Sequence, residues 1–296
     1  MHITKITARE ILDSRSNPTI EAEVTLSNGK SYNASVPSGA SRGQHEAIEK
    51  RDEDASRYFG MGVRKAVEGI NSKIAPLLVG QPINRHIECD SIMIALDGTG
   101  NKSNLGANAI LSVSFALLRA MADSIGLPVY RYLGGAYRRH MPAPMMNILN
   151  GGAHASNNID IQEFMIVPVG AGSFAEAVRM GSEVYKTLKA ILEKHAYQTA
   201  VGDEGGFAPS LNSDAKALSI IIEAIEKAGY RVGDDISLAI DVAASEWYKG
   251  GKYIQPKSKK ELTREKMAEY IFSLIFTSQL GTIEVPSFTE ALKKII

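Results

Sequence analysis

Cysteine is almost absent from this 296-residue sequence, since Cys89 is the only one and has no partner for an internal disulfide. The sequence therefore does not indicate a secreted fold held together by cystines, and the cytosol is the default location. A surplus of charge is absent too, with 33 Lys and Arg against 33 Asp and Glu. A general electrostatic attraction to nucleic acid or to an anionic membrane is therefore not expected.

Long apolar runs are also missing. The most apolar helical stretch, Ala109 to Met121, contains Arg119 and two serines and is too short to span a bilayer. The N-terminal sequence has no basic stretch leading into an apolar segment, so a cleaved signal peptide is not expected. No repeat of about 20 to 50 residues stands out, which argues against a solenoid. We expect a soluble protein with no membrane span and no nucleic-acid partner.

The first half of the chain combines strand and helix patterns. Ile20 to Leu26 alternates apolar and polar residues, Asn28-Gly29 is a strong hairpin turn, and Ser31 to Val36 can return as an antiparallel strand. Between Gly62 and Ala122 apolar residues recur at helical spacing. These patterns predict one α+β domain, which we place at residues 1–135.

After the Gly134-Gly135 pair the pattern changes, which indicates a domain boundary and a second domain at residues 140–296. In this second part, apolar strands alternate with long amphipathic helices. Strands are predicted at Ile159 to Val169, Thr199 to Val201, Ile236 to Ile240 and Gly281 to Ile283, with helices at about 174–194 and about 213–228. Alternating strands and helices predict a parallel sheet or barrel.

Acidic residues fall at the ends of these predicted strands. Glu163 follows Gln162, Glu204 lies among the glycines of Gly202–Gly206, and Asp241 and Glu284 each end a strand. In a βα barrel the C-terminal ends of the strands open onto one face, so carboxylates placed there converge. Carboxylate oxygens suit Mg²⁺, and the sequence contains no Cys/His cluster that would favour zinc.

Each of these residues also has a simpler interpretation, which the sequence leaves open. A carboxylate at a strand end is commonly a helix N-cap or a solvated loop residue. His154, between two glycines and two asparagines, could be a turn residue that satisfies only its own loop. The small-residue loop Pro37–Gly43 either covers a ligand or is a linker.

Several short motifs follow one another in a fixed order along the chain. They are LDSRSNPT at 12–19, PSGAS at 37–41, LDGT at 96–99, NKS at 101–103 with GANAI at 106–110, MNILNGG at 146–152, QEFM at 162–165 and VGDEGG at 201–206. In this order they closely resemble the enolase family, whose members are phosphopyruvate hydratases of glycolysis. The resemblance covers about residues 3 to 275 and, more weakly, Ile283-Glu284.

The resemblance implies a fold, a reaction and a cofactor. The fold is an α+β N-terminal domain followed by an incomplete α/β barrel of the TIM-like, enolase type. The reaction is the Mg²⁺-dependent, reversible dehydration of 2-phosphoglycerate to phosphoenolpyruvate, which makes the chain a lyase by family. Two Mg²⁺ ions would offset the negative charge that develops when a proton is removed beside a carboxylate.

Roles for individual residues also follow from the resemblance. Glu204 is similar to the acid that assists the leaving hydroxide, and Glu163 lies beside it. Asp241 and Glu284 are similar to two of the three carboxylate ligands of the tightly held Mg²⁺.

Three further residues resemble those that meet the substrate. Ser41 is similar to the mobile-loop residue that reaches the second, substrate-linked Mg²⁺. His154 and Gln162 fall in a segment that contacts the substrate.

The sequence also departs from the family pattern. Ser16 replaces a glycine, and if that position requires a positive φ the serine costs about 1 kcal/mol. Arg42 stands where a small hydroxyl residue is usual. From about Phe276 the match fades, and Val285 occupies the place of an acid. The third metal-binding Asp, the proton-abstracting Lys and a Ser-His-Arg motif do not occur in these 296 residues.

Two hypotheses of different class follow from these departures. In the first, the chain is a C-terminally truncated enolase that binds Mg²⁺ weakly and turns over poorly or not at all. In the second, it is a non-catalytic interaction protein or a non-functional truncation product. A partial barrel would expose strand edges and an apolar face, so we expect the chain to be sticky, unstable or dependent on a partner. Because the resemblance also implies dimerisation, the partners considered are a second copy of the chain and full-length enolase.

Overall fold

The chain divides into two units with dense internal contacts, Met1–Arg139 and His140–Ile296. A computed structural model describes residues 1–39, 43, 45–135 and 141–277. Across these described ranges, no helix is long and apolar enough to cross a membrane.

The first unit contains one antiparallel sheet in the order β1-β2-β3. Its strands are β1 (Ile3–Leu12), β2 (Pro18–Leu26) and β3 (Ser31–Val36), and its helices are α1 (Arg64–Gly69), α2 (Ala75–Leu78), α3 (His86–Asp97), α4 (Ala107–Ser124) and α5 (Val129–Gly134). A π-helical turn at Ile70–Ile74 joins α1 to α2, and short 3-10 turns occupy Tyr58–Gly60 and Ile83–Arg85. The predicted α+β character of this part is therefore observed.

The β2–β3 hairpin forms where the sequence predicts it. Gly29 has a φ of +80°, which only a residue without a Cβ adopts without strain, and the Asn28 side chain accepts a hydrogen bond from the Lys30 backbone N–H at 3.0 Å. One face of β2 is fully buried because its apolar residues alternate with polar ones. Helix α4 packs its small apolar residues against β2 and β3, which closes the core of this unit.

Ser16 occupies a turn between β1 and β2. Its φ is +62°, so the departure from glycine noted in the sequence falls on a left-handed position. The Asp13 carboxylate supports the turn by accepting hydrogen bonds from the backbone N–H groups of Arg15 and Asn17, each at 2.8 Å. The turn therefore tolerates a strained residue, which nevertheless stores conformational energy.

The Glu10 side chain ties β1 to the segment that leads into α1. Its carboxylate accepts hydrogen bonds from Arg57 Nη1 and from the Val63 backbone N–H, both at 2.9 Å. The hydrogen bonds from Arg57 lower the pKa of Glu10 below its ordinary value of 4.5, against the opposing effect of burial, and the Val63 N–H adds to the lowering. The ionised form of Glu10 is therefore the one that the fold stabilises.

The second unit is built on an antiparallel sheet in the order β4-β5-β6. Its strands are β4 (Met146–Asn150), β5 (Glu163–Val167) and β6 (Ser237–Asp241), with a small sheet of β7 (Tyr248–Lys249), β8 (Lys252–Ile254) and β9 (Glu261–Leu262). Its helices are α6 (Phe174–Lys194), α7 (Asp214–Lys227), α8 (Ala244–Trp247) and α9 (Arg264–Thr277), with a 3-10 turn at Gly152–His154. Within the described residues the β4-β5-β6 sheet is open and does not close into a barrel.

The sequence predicts a parallel sheet here, and that prediction is wrong, because both pairs of neighbouring strands are antiparallel. The predicted strand at 199–201 does not form, because Val201 makes only an isolated bridge with Phe207. Two helices, α6 and α7, therefore follow β5 without a strand between them. Because α7 reverses the direction of the chain after α6, β6 runs antiparallel to β5. Strands β4 and β6 are parallel to each other only across the intervening β5.

The long helices of the second unit begin with serine caps. The Ser173 side chain accepts a hydrogen bond from the Glu176 backbone N–H, and the Ser213 side chain does the same for Lys216, both at 3.1 Å. Apolar faces of α6 and α7 pack with Phe164 and Ile166 of β5 in one buried cluster. This packing fixes β5, and with it the residue that begins β5, Glu163. The predicted strand at 281–283 lies outside the described residues.

Replacing Ser16 by glycine tests the strain in the β1–β2 turn. Ser16→Gly is expected to stabilise the first unit by about 1 kcal/mol, because glycine adopts a positive φ without a steric penalty. Hydrogen exchange of the β1 and β2 amides, followed by mass spectrometry, measures the change. Ser14→Gly is the matched control, since Ser14 is exposed in the same turn without a positive φ. The control should be slightly destabilising, and equal effects would contradict the strain argument.

Replacing Glu10 by glutamine tests its ion pair with Arg57. Glu10→Gln is expected to lower the free energy of unfolding by about 1 kcal/mol at neutral pH. Because folding lowers the pKa of Glu10, its contribution is present above the ordinary value of 4.5 and is lost as the pH falls through the lowered value. The difference between variant and wild type in urea unfolding should therefore shrink in acid. Glu68→Gln, at an exposed position, should change little at any pH.

Candidate active site

The register of β5 gathers polar residues at one edge of the β4-β5-β6 sheet. Glu163 begins β5 and is the Cα partner of Asn150, which ends β4, and of Asp241, which ends β6. The backbone N–H of Gln162, just before β5, donates to the Asp241 carbonyl oxygen at 3.2 Å. Three separate stretches of sequence therefore meet where these strand ends lie level. We call this end of the sheet, marked by Asn150, Glu163 and Asp241, the carboxylate edge.

The glycine-flanked loop at 202–206 lies against the end of β4. A Cβ added at Gly202 would meet the His154 carbonyl oxygen at 2.5 Å, and one at Gly206 would meet Asn150 Oδ1 at 2.5 Å. The Asp203 backbone N–H donates to the same His154 carbonyl at 3.2 Å. This is the close backbone approach that the flanking glycines allow, and it brings the loop that carries Glu204 beside His154.

His154, Glu163 and Glu204 form the closest cluster of functional side chains at the carboxylate edge. Each offers one ligand atom, and these atoms lie within 4.8 Å of one another. His154 Nδ1 is 3.3 Å from Glu163 Oε1, but the two atoms are not aligned for a hydrogen bond. The His154 side chain is only 4% exposed, whereas Glu163 is partly buried and Glu204 is exposed. A buried imidazole, a half-buried carboxylate and a solvent-facing carboxylate thus share one small volume.

The surroundings of Glu163 shift the pKa of its carboxyl group upward. Burial raises the pKa of the Glu163 carboxyl above its ordinary value, and the negative charge of Asp241 raises it further. His154 acts in the opposite direction, and Glu204 adds a smaller increase. A carboxyl group whose pKa is raised in this way can hold a proton and exchange it with a neighbouring group.

Several polar atoms beside this cluster are buried without a hydrogen-bond partner among the described residues. They are both side-chain amide atoms of Asn147 and of Asn150, Oε1 of Gln162 and both ring nitrogens of His154. Asn150 is fully buried and Gln162 is 3% exposed. Buried polar groups are usually paired, and unpaired ones in a native site indicate that a water, ion or ligand satisfies them.

The structure therefore brings together most of the residues that the sequence singles out. His154, Glu163 and Glu204 are in one cluster, and Asp241 is strand-paired with Glu163. Asp241 Oδ1 accepts a hydrogen bond from the Ala243 backbone N–H at 2.8 Å, so part of its carboxylate serves the turn after β6. Gln162 lies directly before Glu163, with its side chain buried. The chemical roles given to these residues stay predictions.

Two predicted site residues cannot be placed. Ser41, in the loop at 37–43, and Glu284, at the end of the predicted strand at 281–283, lie outside the described residues. Of the three predicted Mg²⁺ ligands, Asp241 is the one that lies among the described residues.

Sequence reasoning assigned no role to the two asparagines of β4. A Cβ built at Gly206 would lie 2.5 Å from Asn150 Oδ1 and 2.9 Å from Asn147 Oδ1, so both amides face the loop that carries Glu204. The sequence feature that could have identified them is a pair of amides in the otherwise apolar strand MNILN. Burying a polar side chain in a strand is unfavourable unless a partner satisfies it.

A buried acidic residue also supports this edge. Asp214, at the start of α7, accepts hydrogen bonds from the backbone N–H groups of Asp160 at 3.0 Å and Ile161 at 3.2 Å. Its other oxygen accepts a hydrogen bond from the Tyr270 hydroxyl. Asp214 thereby fixes the backbone that enters β5 just before Gln162 and Glu163.

Comparison with protein-family models gives two matches that follow one another along the chain. The model described as the enolase N-terminal domain matches residues 3–133, and the model described as the enolase C-terminal TIM barrel domain matches residues 138–291. Together with the open sheet of the described residues, these matches confirm the predicted fold class, an α+β domain followed by an incomplete α/β barrel. The chain belongs to the enolase family.

Proposed function

We propose that the carboxylate edge is part of the site for reversible dehydration of 2-phosphoglycerate to phosphoenolpyruvate. Family membership supports a hydro-lyase of the enolase type. The observation that carries the proposal is the meeting of His154, Glu163, Glu204 and Asp241 at one edge, from four separate stretches of sequence. Elimination of water beside a carboxylate needs a base for the carbon-bound proton, an acid for the departing hydroxide and a means of stabilising negative charge. This set supplies candidates for the acid and for a cation ligand, whereas no residue of it is assigned as the base.

In this proposal Glu204 and Glu163 handle the proton that accompanies the departing hydroxide. Hydroxide is a poor leaving group, so a nearby acid must protonate it. Glu204 is exposed and can reach a substrate from the loop, while Glu163, whose pKa is raised by burial, can hold a proton beside it.

Mg²⁺ is the proposed cofactor, and the donor set at this edge fits it. Asp241 contributes carboxylate oxygen, the ligand type that Mg²⁺ prefers, and the crowding of Asp241, Glu163 and Glu204 leaves negative charge to be balanced. Asp241 with Glu284 would hold one ion, and Ser41 would reach the substrate-linked ion. When bound, Mg²⁺ would stabilise the negative charge that develops on the substrate carboxylate.

His154 and Gln162 are proposed to contact the substrate. Their side chains are buried beside the two glutamates, and His154 Nδ1, His154 Nε2 and Gln162 Oε1 have no hydrogen-bond partner among the described residues. Hydroxyl and phosphate groups of 2-phosphoglycerate would provide such partners. Association of this chain with itself or with full-length enolase stays a prediction.

Binding of Mg²⁺ and 2-phosphoglycerate tests the proposal without requiring turnover. Trp247, the only tryptophan, is buried in α8, which closely follows Asp241, so its fluorescence should change saturably when both ligands are present. Asp241→Asn should raise the half-saturating Mg²⁺ concentration at least about tenfold, because a ligand oxygen loses its charge. Asp234→Asn, at an exposed position beside Arg231, should behave like wild type. Equal Mg²⁺ dependence in Asp241→Asn and wild type would contradict the ligand role.

Phosphoenolpyruvate absorbance from 2-phosphoglycerate tests the acid role of Glu204. Any turnover that the wild-type chain shows is expected to fall about 100-fold or more in Glu204→Gln, since glutamine cannot donate the proton. Glu246→Gln, another exposed glutamate near the end of β6, should leave the rate unchanged. The same assay on the pure wild-type chain tests the hypothesis of poor turnover, which ordinary enolase-like rates would overturn.

A further inference from the structure

We propose that Lys257 is a positioning residue for His154. The Lys257 ammonium group holds the backbone directly after His154, and the imidazole therefore keeps its place at the carboxylate edge. The hold on the backbone can be tested without any catalytic or binding assay, whereas its effect on substrate binding rests on the proposed function.

Lys257 contacts both ends of the segment 155–160, which lies between His154 and β5. Its backbone N–H donates to Asp160 Oδ1 at 2.7 Å, and its Nζ donates to the Ala155 carbonyl oxygen at 2.9 Å. The contacting residues are 97 and 102 positions apart in the sequence. A single residue from a distant part of the chain therefore fixes the separation between the two ends of this segment.

The backbone around His154 is held at three points. The His154 N–H donates to the Gly151 carbonyl oxygen at 3.0 Å, and the His154 carbonyl oxygen accepts a hydrogen bond from the Asp203 N–H at 3.2 Å. The third point is the Ala155 carbonyl oxygen, which Lys257 Nζ contacts. Of these three contacts, that of Lys257 is the one made by a side chain and by a charged donor. Charge-assisted hydrogen bonds are roughly twice as strong as neutral ones, so this contact contributes strongly to the hold.

The His154 side chain depends on this backbone support. Its ring nitrogens have no hydrogen-bond partner among the described residues, and the side chain is 4% exposed. A side chain without hydrogen bonds of its own takes its position from its backbone and from the residues packed around it. Loss of the Lys257 contact would therefore release the backbone after His154 and let the imidazole move relative to Glu163.

The turn that carries Lys257 is itself fixed by hydrogen bonds around Gln255, which is 3% exposed. The Gln255 N–H donates to the Lys260 carbonyl oxygen at 3.0 Å, and the Gln255 carbonyl oxygen accepts from the Lys259 N–H at 3.1 Å. The Gln255 side chain adds a third contact, because its Oε1 accepts from Ser258 Oγ at 2.9 Å. Lys257 is partly buried in this turn. A side chain that starts from a fixed turn and is partly buried loses less conformational freedom when it binds a carbonyl group.

Chemical modification of His154 tests the hold on the backbone. Diethyl pyrocarbonate acylates accessible imidazole nitrogens, and mass spectrometry locates the modified histidines. His154 should react slowly in wild type because it is buried. Lys257→Met should raise the rate at His154 at least about fivefold, because the segment 155–160 opens more often without its charged contact. Lys257→Arg should restore the slow rate, since a guanidinium group can donate to the same carbonyl oxygen.

Lys260→Met is the matched control, because Lys260 is an exposed lysine in the same turn. It should leave the rate at His154 unchanged, and the exposed His195 should react equally in every variant. Urea unfolding checks that each variant keeps the wild-type fold. The proposal is overturned if Lys257→Met reacts at His154 as wild type does, if Lys257→Arg fails to restore protection, or if Lys260→Met has the same effect as Lys257→Met.

Substrate binding, read from Trp247 fluorescence at saturating Mg²⁺, tests the consequence for the site. Lys257→Met should raise the half-saturating 2-phosphoglycerate concentration about tenfold, because His154 no longer meets the substrate in its bound position. The Mg²⁺ dependence should stay that of wild type, since Asp241 remains paired with β5. Equal 2-phosphoglycerate affinity in Lys257→Met and wild type would overturn the role in substrate binding. If wild type itself binds no 2-phosphoglycerate, the proposed function fails, and the modification rates alone decide whether Lys257 positions His154.

Discussion

The position of Glu163 between two strand ends is the constraint on which the site depends. Because β5 runs antiparallel to both neighbours, its first residue lies level with the last residues of β4 and β6. A shift of register by one residue would turn the Glu163 side chain to the other face of the sheet and place Gln162 or Phe164 level with Asn150 and Asp241. The chemistry of this family member therefore rests on backbone pairing before it rests on any side chain.

Buried polar contacts hold that register from outside the sheet. Asp214 binds the backbone that enters β5, and Tyr270 of α9 donates to Asp214. Asp160 in turn accepts hydrogen bonds from the Lys257 and Ser258 backbone N–H groups at 2.7 and 3.1 Å. Burial raises the pKa of Asp214, but the hydrogen bonds from Tyr270 and the backbone oppose this shift and favour its ionised form. The segment before Glu163 is thus fixed to α7, α9 and the loop at 257–258, which lie far from it in sequence.

Local patterns predicted the features that depend on local physics. Asn28-Gly29 predicted the β2–β3 hairpin, and apolar periodicity predicted the long amphipathic helices. The family's glycine at position 16 indicated a positive φ, which Ser16 adopts. The direction of β6 could not be predicted in this way, because it depends on whether Thr199 to Val201 forms a strand. A short apolar run forms a strand only if a neighbour pairs with it, and Val201 finds just one bridge. The link between His154 and Glu163 depends on the path of the loop between β4 and β5, which periodicity does not specify.

The concentration of unpaired groups at the carboxylate edge is best understood as a cost that ligands offset. Asn147, Asn150 and Gln162 bury amide atoms without partners, and each such atom costs about 1–3 kcal/mol when nothing satisfies it. An apolar edge would be more stable, so stability does not account for these residues. Under the proposed function, binding energy accounts for them, because a ligand that satisfies these groups recovers the energy lost on burying them. The same reasoning applies to His154, whose two buried ring nitrogens a bound ligand would satisfy.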